Sequence, residues 1–412
     1  MTTETVTAPR RMPQGELIAM LAFLFATVAF SIGSMLPALP QIAAELTPDD
    51  VNRAQLILTS FMAGMGIGTL FAGPISDAIG RKPAMGIGFA IYLAASAVAL
   101  FVNSLELLLV ARFAQGLGAA SPRIVGTALV RDLYSGREMA RITSFIMMVF
   151  TIVPALAPLI GQGFIIALGW HGIFIGCIIF AATGWLWLSL RQPETLAPEA
   201  RRPLQFATLL SGTREVLGDR QVMLSTVTMT LGFAQMFALM SSAQQLFGDA
   251  YGKGEQFALW FAAMATLAGA GTLINTWLVM RIGMRRIARA AYAAQIFVSG
   301  AFLLALVTGA LPESLRFPAF FLWAVGIYMM AGLTFGNLNA LALQGMGHIA
   351  GLTASVVAAI STVGSVVIAA PVGLAYDGTA IPVAVAAVIC SILAWVIMGW
   401  MRDPVRQQRA QR

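Results

Sequence analysis

Apolar runs long enough to cross a lipid bilayer recur along the whole chain, separated by short polar or charged breaks. A bilayer core takes about 20 apolar residues per helix. Within it every backbone N–H and C=O needs a partner in the same segment, so such a run folds as a helix. Cutting at charges, Gly/Pro clusters and polar punctuation yields twelve spans: 15–38, 54–76, 83–103, 106–130, 141–166, 171–190, 222–247, 256–281, 287–309, 317–344, 351–374 and 379–400. Composition closes off the water-soluble alternative. Only 10% of residues are charged and 58% are hydrophobic, with a mean hydropathy of +0.82, whereas soluble domains carry about 25% charged residues. The reading is an all-α integral membrane protein.

One sizeable polar segment, Arg191 to Gln221, divides the spans six and six. The expected organisation is a six-helix half over 1–190, a linker over 191–221 and a second six-helix half over 222–412 with a short tail. The first apolar run outlasts a signal-peptide core and lacks a small-residue cleavage site, so it reads as a span that stays. The net charge is +7, and the basic residues are nearly all arginine and sit in short clusters between apolar runs. That pattern speaks for membrane topology rather than for a nucleic-acid surface. Arg10, Arg11, Arg81, Lys82, Arg131, Arg137, Arg141, the linker arginines, Arg281, Arg285, Arg286, Arg289 and the C-terminal arginines share one side. Only Arg53, Lys253 and Arg316 fall on the other. The positive-inside rule then expects both termini in the cytoplasm. The halves also echo each other: "GPISDAIGRKP" follows span 2 and "RIGMRRIAR" follows span 8, while "PALAPLIGQG" toward the outer end of span 5 has its counterpart in "APVG" at the end of span 11. Weakly similar halves fit the parallel repeat of secondary transporters.

"GPISDAIGRKP", Gly73 to Pro83, is the densest cluster of polar chemistry between two spans. Gly73 and Gly80 allow a neighbouring helix to approach closely. Asp77 suits the partly positive N-terminus of an adjacent helix. Arg81 and Lys82 alone are an ordinary positive-inside turn; the spacing of the whole segment is less common by chance. Farther on, Arg112 lies within span 4 and Arg123 deeper along it. An intramembrane arginine is costly and normally faces a cavity or a partner. Glu106 is near in sequence, but six residues do not return a helix to one face. Arg123 has a second reading as a side chain that snorkels to the interface. Pro154 and Pro158 bend span 5 by removing backbone donors, and Gly161 and Gly163 permit close packing, in a gating or a merely structural kink.

Several of these strings are similar to known sequences. "GPISDAIGRKP" resembles the signature between spans 2 and 3 of the major facilitator superfamily (MFS), and "RFAQGLGAA", Arg112 to Ala120, resembles its span-4 signature. "APLIGQG", Ala157 to Gly163, resembles the span-5 signature of its proton-coupled antiporters. "MLPALPQIAAEL", "LVRDLYSGREMAR" and "GWHGIF" are similar to the bicyclomycin-resistance-type (Bcr/CflA) drug-efflux branch. The resemblance implies the MFS fold, twelve transmembrane helices in two pseudo-symmetric halves rocking about a central site, in a bacterial inner membrane. It also implies a cytoplasmic latch, with Asp77 near the start of span 11 around Gly351 and Arg81 near Asp132, and a role for Arg112 in proton handling. Two departures stand out: Gly33 occupies the place of the branch's span-1 acid, and His171 stands where the branch more often has Arg.

No acid lies deep in span 1 or clearly at mid-membrane. Asp132, Asp77, Glu106 and Asp249 sit near span ends, as do His171 and His348. Without a central carboxylate, a neutral or anionic cargo, including a secreted metabolite or metal chelator, fits as well as a drug. Ser34, Gln115, Arg123, Gln235, Asn275 and Asn337 are candidates for touching substrate, with Ser31, Gln244 and Asn339 beside them. Met and Phe stripes (Met147, Met148, Phe150; Met229, Phe233, Met236, Phe237; Met329, Met330, Phe335) suit varied apolar ligands. Most such residues pack against helices or lipid.

No catalytic triad, HExxH, CxxC or nucleotide-binding loop is present, so neither an enzyme nor an ATP-driven pump is expected. Cys177 and Cys390 lie inside apolar runs and form no disulfide or metal pattern. The expectation is a cofactor-free secondary transporter, monomeric, binding a small molecule and protons in the bilayer. It is read as a proton-coupled exporter; the alternatives are a gradient-driven exporter of an anionic or neutral metabolite, an importer, or a membrane sensor.

Overall fold

The computed structural model describes residues 12–201, 203–204 and 206–401. Arg10, Arg11 and the C-terminal arginines lie outside the described residues, as do the side chains of Arg137, Met147, Met148, Phe150 and Pro154. Among the described residues there is no strand. Twelve long helices account for the bundle: α1 Gln14–Gly33, α2 Leu56–Ile79, α3 Arg81–Ala99, α4 Leu105–Leu133, α5 Gly136–Leu168 and α6 Gly172–Arg191. After a linker helix, Phe206–Gly218, come α7 Arg220–Gln245, α8 Phe257–Ile282, α9 Met284–Thr308, α10 Glu313–Leu343, α11 Ala350–Leu374 and α12 Ile381–Gly399.

Each expected span overlaps one of these helices. Span 1 runs on beyond residue 38: a short 3-10 turn at Leu36–Ala38 leads into a further helix, Leu39–Leu46. Pro37 and Pro40 are each the second residue of their helix, within the first turn, where the backbone N–H has no intrahelical partner to lose. Among the described residues ten helical stretches are long and apolar enough to cross a membrane. Helix α4 is not one of them, because Glu106, Arg112, Arg123, Arg131 and Asp132 all fall within it. For α5 the stretch is the shorter Leu156–Leu168.

Packing reveals the repeat. In the first half α1 packs on α4, α5 and α6, α4 packs on α2 and α3, and α3 packs on α6. Adding six to each number gives the packing of the second half: α7 on α10, α11 and α12, α10 on α8 and α9, and α9 on α12. The main contacts between halves are α2 with α11 and α5 with α8, and the same operation exchanges them. The closest packing is at α2 and α4, where a Cβ on either Gly64 or Gly116 would run into the facing backbone. This is the small-residue contact that membrane helices use to bring backbones together.

Candidate functional site

The α2–α3 and α4–α5 turns lie on the same face of the bundle as the linker. Between the halves on this face is a cavity of about 970 Å³. Helix α4 contributes Arg123, Thr127 and Arg131, and the end of α2 contributes Asp77. The facing half contributes Met229, Phe233, Phe237, Phe335, Asn339, Ser355 and Thr362. Phe233 lies 4.1 Å from Phe335 and 5.4 Å from Phe237, ring centre to ring centre, forming a continuous aromatic wall. Arg123 is half-buried, and among the described residues its guanidinium has no hydrogen bond and no acid partner.

On the opposite face the halves are clasped. Asn52 Nδ2 donates to the carbonyls of Tyr376 (2.8 Å) and Leu374 (3.2 Å). Gln245 Nε2 donates to Asn52 Oδ1 at 2.9 Å, and Ser242 Oγ donates to Gln55 Oε1 at 3.0 Å. Gln55 also donates to Gln245. The Tyr376 hydroxyl donates to the Gln245 carbonyl at 3.2 Å. These amides join the start of α2 to α7 and to the end of α11. Beside them is a second cavity of about 660 Å³, where Gln244 Oε1 is buried with no hydrogen-bond partner among the described residues.

The "GPISDAIGRKP" segment organises the linker face. Arg81 Nε donates to Asp132 Oδ2 at 2.8 Å, and Nη1 donates to Asp77 and to Ser76 Oγ. Gly80 takes φ +108°, which only glycine adopts freely. Asp77 and Gly351 line the same cavity, but among the described residues Asp77 has no hydrogen bond to α11. The carboxylate at a helix N-terminus is Glu194, whose two oxygens accept from the backbone N–H groups of Arg81 and Lys82 at 3.0 Å each. The sequence reading missed Glu194, and only its place in the linker just after α6 hinted at it. Gly73 lines the cavity, its Cβ position 3.7 Å from Ser355 Oγ.

Arg112 does not reach the cavity. It is fully buried within the first half. Its Nη2 donates to the Ser31 carbonyl at 3.1 Å, its Nη1 to Gln115, and its guanidinium lies 4.4 Å over the Phe61 ring. Gln115 Nε2 donates onward to Ser96 Oγ at 2.7 Å. The second half repeats part of this arrangement. Counted from the residues that precede α4 and α10, Trp323 corresponds to Gln115 and Phe320 to Arg112. Trp323 Nε1 donates to Ser299 Oγ at 3.0 Å, as Gln115 does to Ser96. Glu106 turns away and pairs with Arg53 at 3.0 Å.

The remaining candidates lie in packing positions. Ser34 Oγ donates to the Phe30 carbonyl at 2.6 Å, and Gly161 and Pro158 are buried in α5, with Gly161 against the Ser34 backbone. Gln235 accepts from Ser391 at 3.2 Å, and Asn337 donates to Asn275 at 2.7 Å. Of the six substrate candidates, Arg123 alone is among the cavity-lining residues.

Known proteins match this arrangement along nearly the whole chain. The family model described as Major Facilitator Superfamily matches residues 21–370. A Bicyclomycin resistance protein homolog of Haemophilus influenzae is 27% identical over 392 residues, 92% of this chain and 95% of that protein. A Chloramphenicol resistance protein of Pseudomonas aeruginosa is 30% identical over 385 residues, 88% of this chain and 84% of that one. Among solved structures, a partially occluded inward open conformation of the xylose transporter XylE from E. coli superimposes with a TM-score of 0.72 at 11% identity, covering 95% of this chain and 98% of that one. With the repeat, the inter-half cavity and these relatives in view, the chain belongs to the Major Facilitator Superfamily of membrane transporters and groups with its bicyclomycin-resistance (Bcr/CflA) branch.

Proposed function

We propose that this transporter exports small drug-like molecules in exchange for protons, by alternating access of one cavity to the two sides of a bacterial inner membrane. The observation that carries the reading is the asymmetry between the two faces: a large cavity opens between the halves on the linker face, and amide hydrogen bonds clasp the halves on the other. The basic linker face is taken as cytoplasmic, with both termini on that side. The halves, 1–190 and 222–412, are taken as the moving units and 191–221 as their tether. One chain holds both halves and the cavity, so a monomer suffices. The names of the two relatives, resistance to bicyclomycin and to chloramphenicol, support export.

Roles for the residues follow from their surroundings. Arg123 meets cargo. Asp77, the one carboxylate among the described cavity-lining residues, carries the proton, and Arg81 and Asp132 hold it in place. Arg112 braces α1, α2 and α4 so that movement at Asp77 is passed through the half. A second reading, gradient-driven export of an anionic or neutral metabolite, is favoured by the absence of an unpaired carboxylate from the described lining. The test is efflux of a compound panel, chloramphenicol included, from cells lacking their own pumps, with and without a proton uncoupler. Efflux that stops with the uncoupler supports proton exchange. Uncoupler-insensitive efflux removes it, and uptake reverses the assigned direction.

A further inference from the structure

The charges and the rings of the cavity come from opposite halves. Among the described lining residues the charged ones, Asp77, Arg81, Arg123 and Arg131, all belong to the first half, and the aromatic ones, Phe233, Phe237 and Phe335, to the second. The charges do not cancel. Asp77 is bound to Arg81, which Asp132 also holds. Arg123 and Arg131 have no acid partner among the described residues, and Arg123 is half-buried between the halves. A bare guanidinium within a membrane protein needs a counter-charge or water.

Building on the transporter reading above, we infer that the cavity's cargo is an organic anion with a flat apolar body. Arg123 pairs with its anionic group and the Phe233–Phe237–Phe335 wall stacks on its body. Such a molecule touches both halves at once and draws them together. It also supplies the charge that lets the linker face close. Closing the empty cavity would shut an unpaired cation away from water, a strongly unfavourable step. The contact that selects the cargo is therefore also the one that permits occlusion.

The test uses the purified full chain and three probes of one shape at neutral pH: 2-naphthoate, the uncharged 2-naphthamide and the cation 2-naphthylmethylammonium, with binding measured by calorimetry. The expected order is naphthoate about tenfold tighter than the amide, as a charge-assisted contact implies, and the ammonium weakest. Arg123→Gln should bring naphthoate to the level of the amide, Arg123→Lys should retain part of the preference, and Phe335→Ala should weaken both probes alike. Equal affinity for acid and amide in the unaltered protein, or tightest binding of the cation, overturns the inference and requires no variant to fold. Uncoupler-sensitive chloramphenicol efflux by a protein without anion preference sinks the anion site and leaves the exporter reading standing. Anion-selective binding that depends on Arg123, without gradient-driven transport, supports the site and removes the exporter reading.

Discussion

The carboxylate of Glu194 accepts hydrogen bonds from the backbone N–H of Arg81 and of its neighbour Lys82, both at 3.0 Å, so the linker caps the helix that follows the Gly80 turn. The same carboxylate accepts from the N–H groups of Thr195 and Leu196 at 2.9 Å each. Thr195 in turn donates to Asp132 at 3.2 Å. The linker is thus tied into the ion-pair network at the mouth of the cavity.

Removing the cap should destabilise the protein. Glu194→Ala is expected to cost about 1 kcal/mol, the size of a lost helix cap. Gly80→Ala is expected to cost about 1–3 kcal/mol through backbone strain at φ +108°, and its Cβ would also meet Glu194 Oε2 at 2.6 Å. Equilibrium unfolding in mixed micelles measures both. The double variant should lose less than the sum, since the collision with the Glu194 carboxylate is gone and only the backbone strain remains; strict additivity would separate Gly80 from Glu194.

Loosening the clasp should open the other face. In Asn52→Ala/Gln55→Ala, the direct side-chain bonds to Leu374, Tyr376, Ser242 and Gln245 are lost. A cysteine introduced at Thr362, in the cavity, should then react with an impermeant thiol reagent added on the clasped face. Protection equal to that of the parent would show that helix packing alone holds the face shut.

Alkaline pH should have a related effect. Burial, with Asp249 and Asp377 nearby, raises the Tyr376 hydroxyl from 10.0 to about 12. The folded state therefore holds this proton more tightly than the unfolded chain. Its contribution is full below pH 10, declines above it and is lost as pH passes about 12. Tyr376→Phe should flatten this part of the stability curve; an unchanged alkaline limb would assign it to another group.

Asp77 and Asp132 share Arg81 but differ in side-chain exposure, 46% against 17%. Asp77→Asn should cost less than about 1 kcal/mol, as an exposed pair does, and should slow transport with normal expression. Asp132→Asn should cost about 1–3 kcal/mol, because it weakens a more buried charged acceptor. Transport at the parental rate by Asp77→Asn would remove Asp77 from the proton and latch roles.

Arg112→Met should lower stability by about 1–3 kcal/mol, since the buried Gln115 oxygen loses its donor. Adding Gln115→Leu should recover part of the loss by removing that acceptor. If Arg112 serves coupling, the double variant regains stability but not transport. Recovery of both would confine Arg112 to a structural role.

Much of the architecture follows from hydropathy, because the bilayer's demand for internally bonded backbone leaves a long apolar run few options other than a helix. The linker and the local chemistry around Gly80 were legible for the same reason, being polar punctuation between such runs. The Glu194 cap and the Gln55–Gln245 clasp were not: their partners lie 113 and 190 positions apart and carry no periodicity that would link them. Arg112 and Arg123 show the limit most plainly. Eleven residues separate them, about three helical turns, so they share one face of α4 and sequence spacing cannot tell them apart. Tertiary packing can: α1 and α2 close around Arg112, while farther along the same face the two halves part and leave Arg123 at the cavity. The chain's own chemistry determined that both arginines enter the membrane. Which of them meets protein and which meets the cavity was decided by where the halves separate.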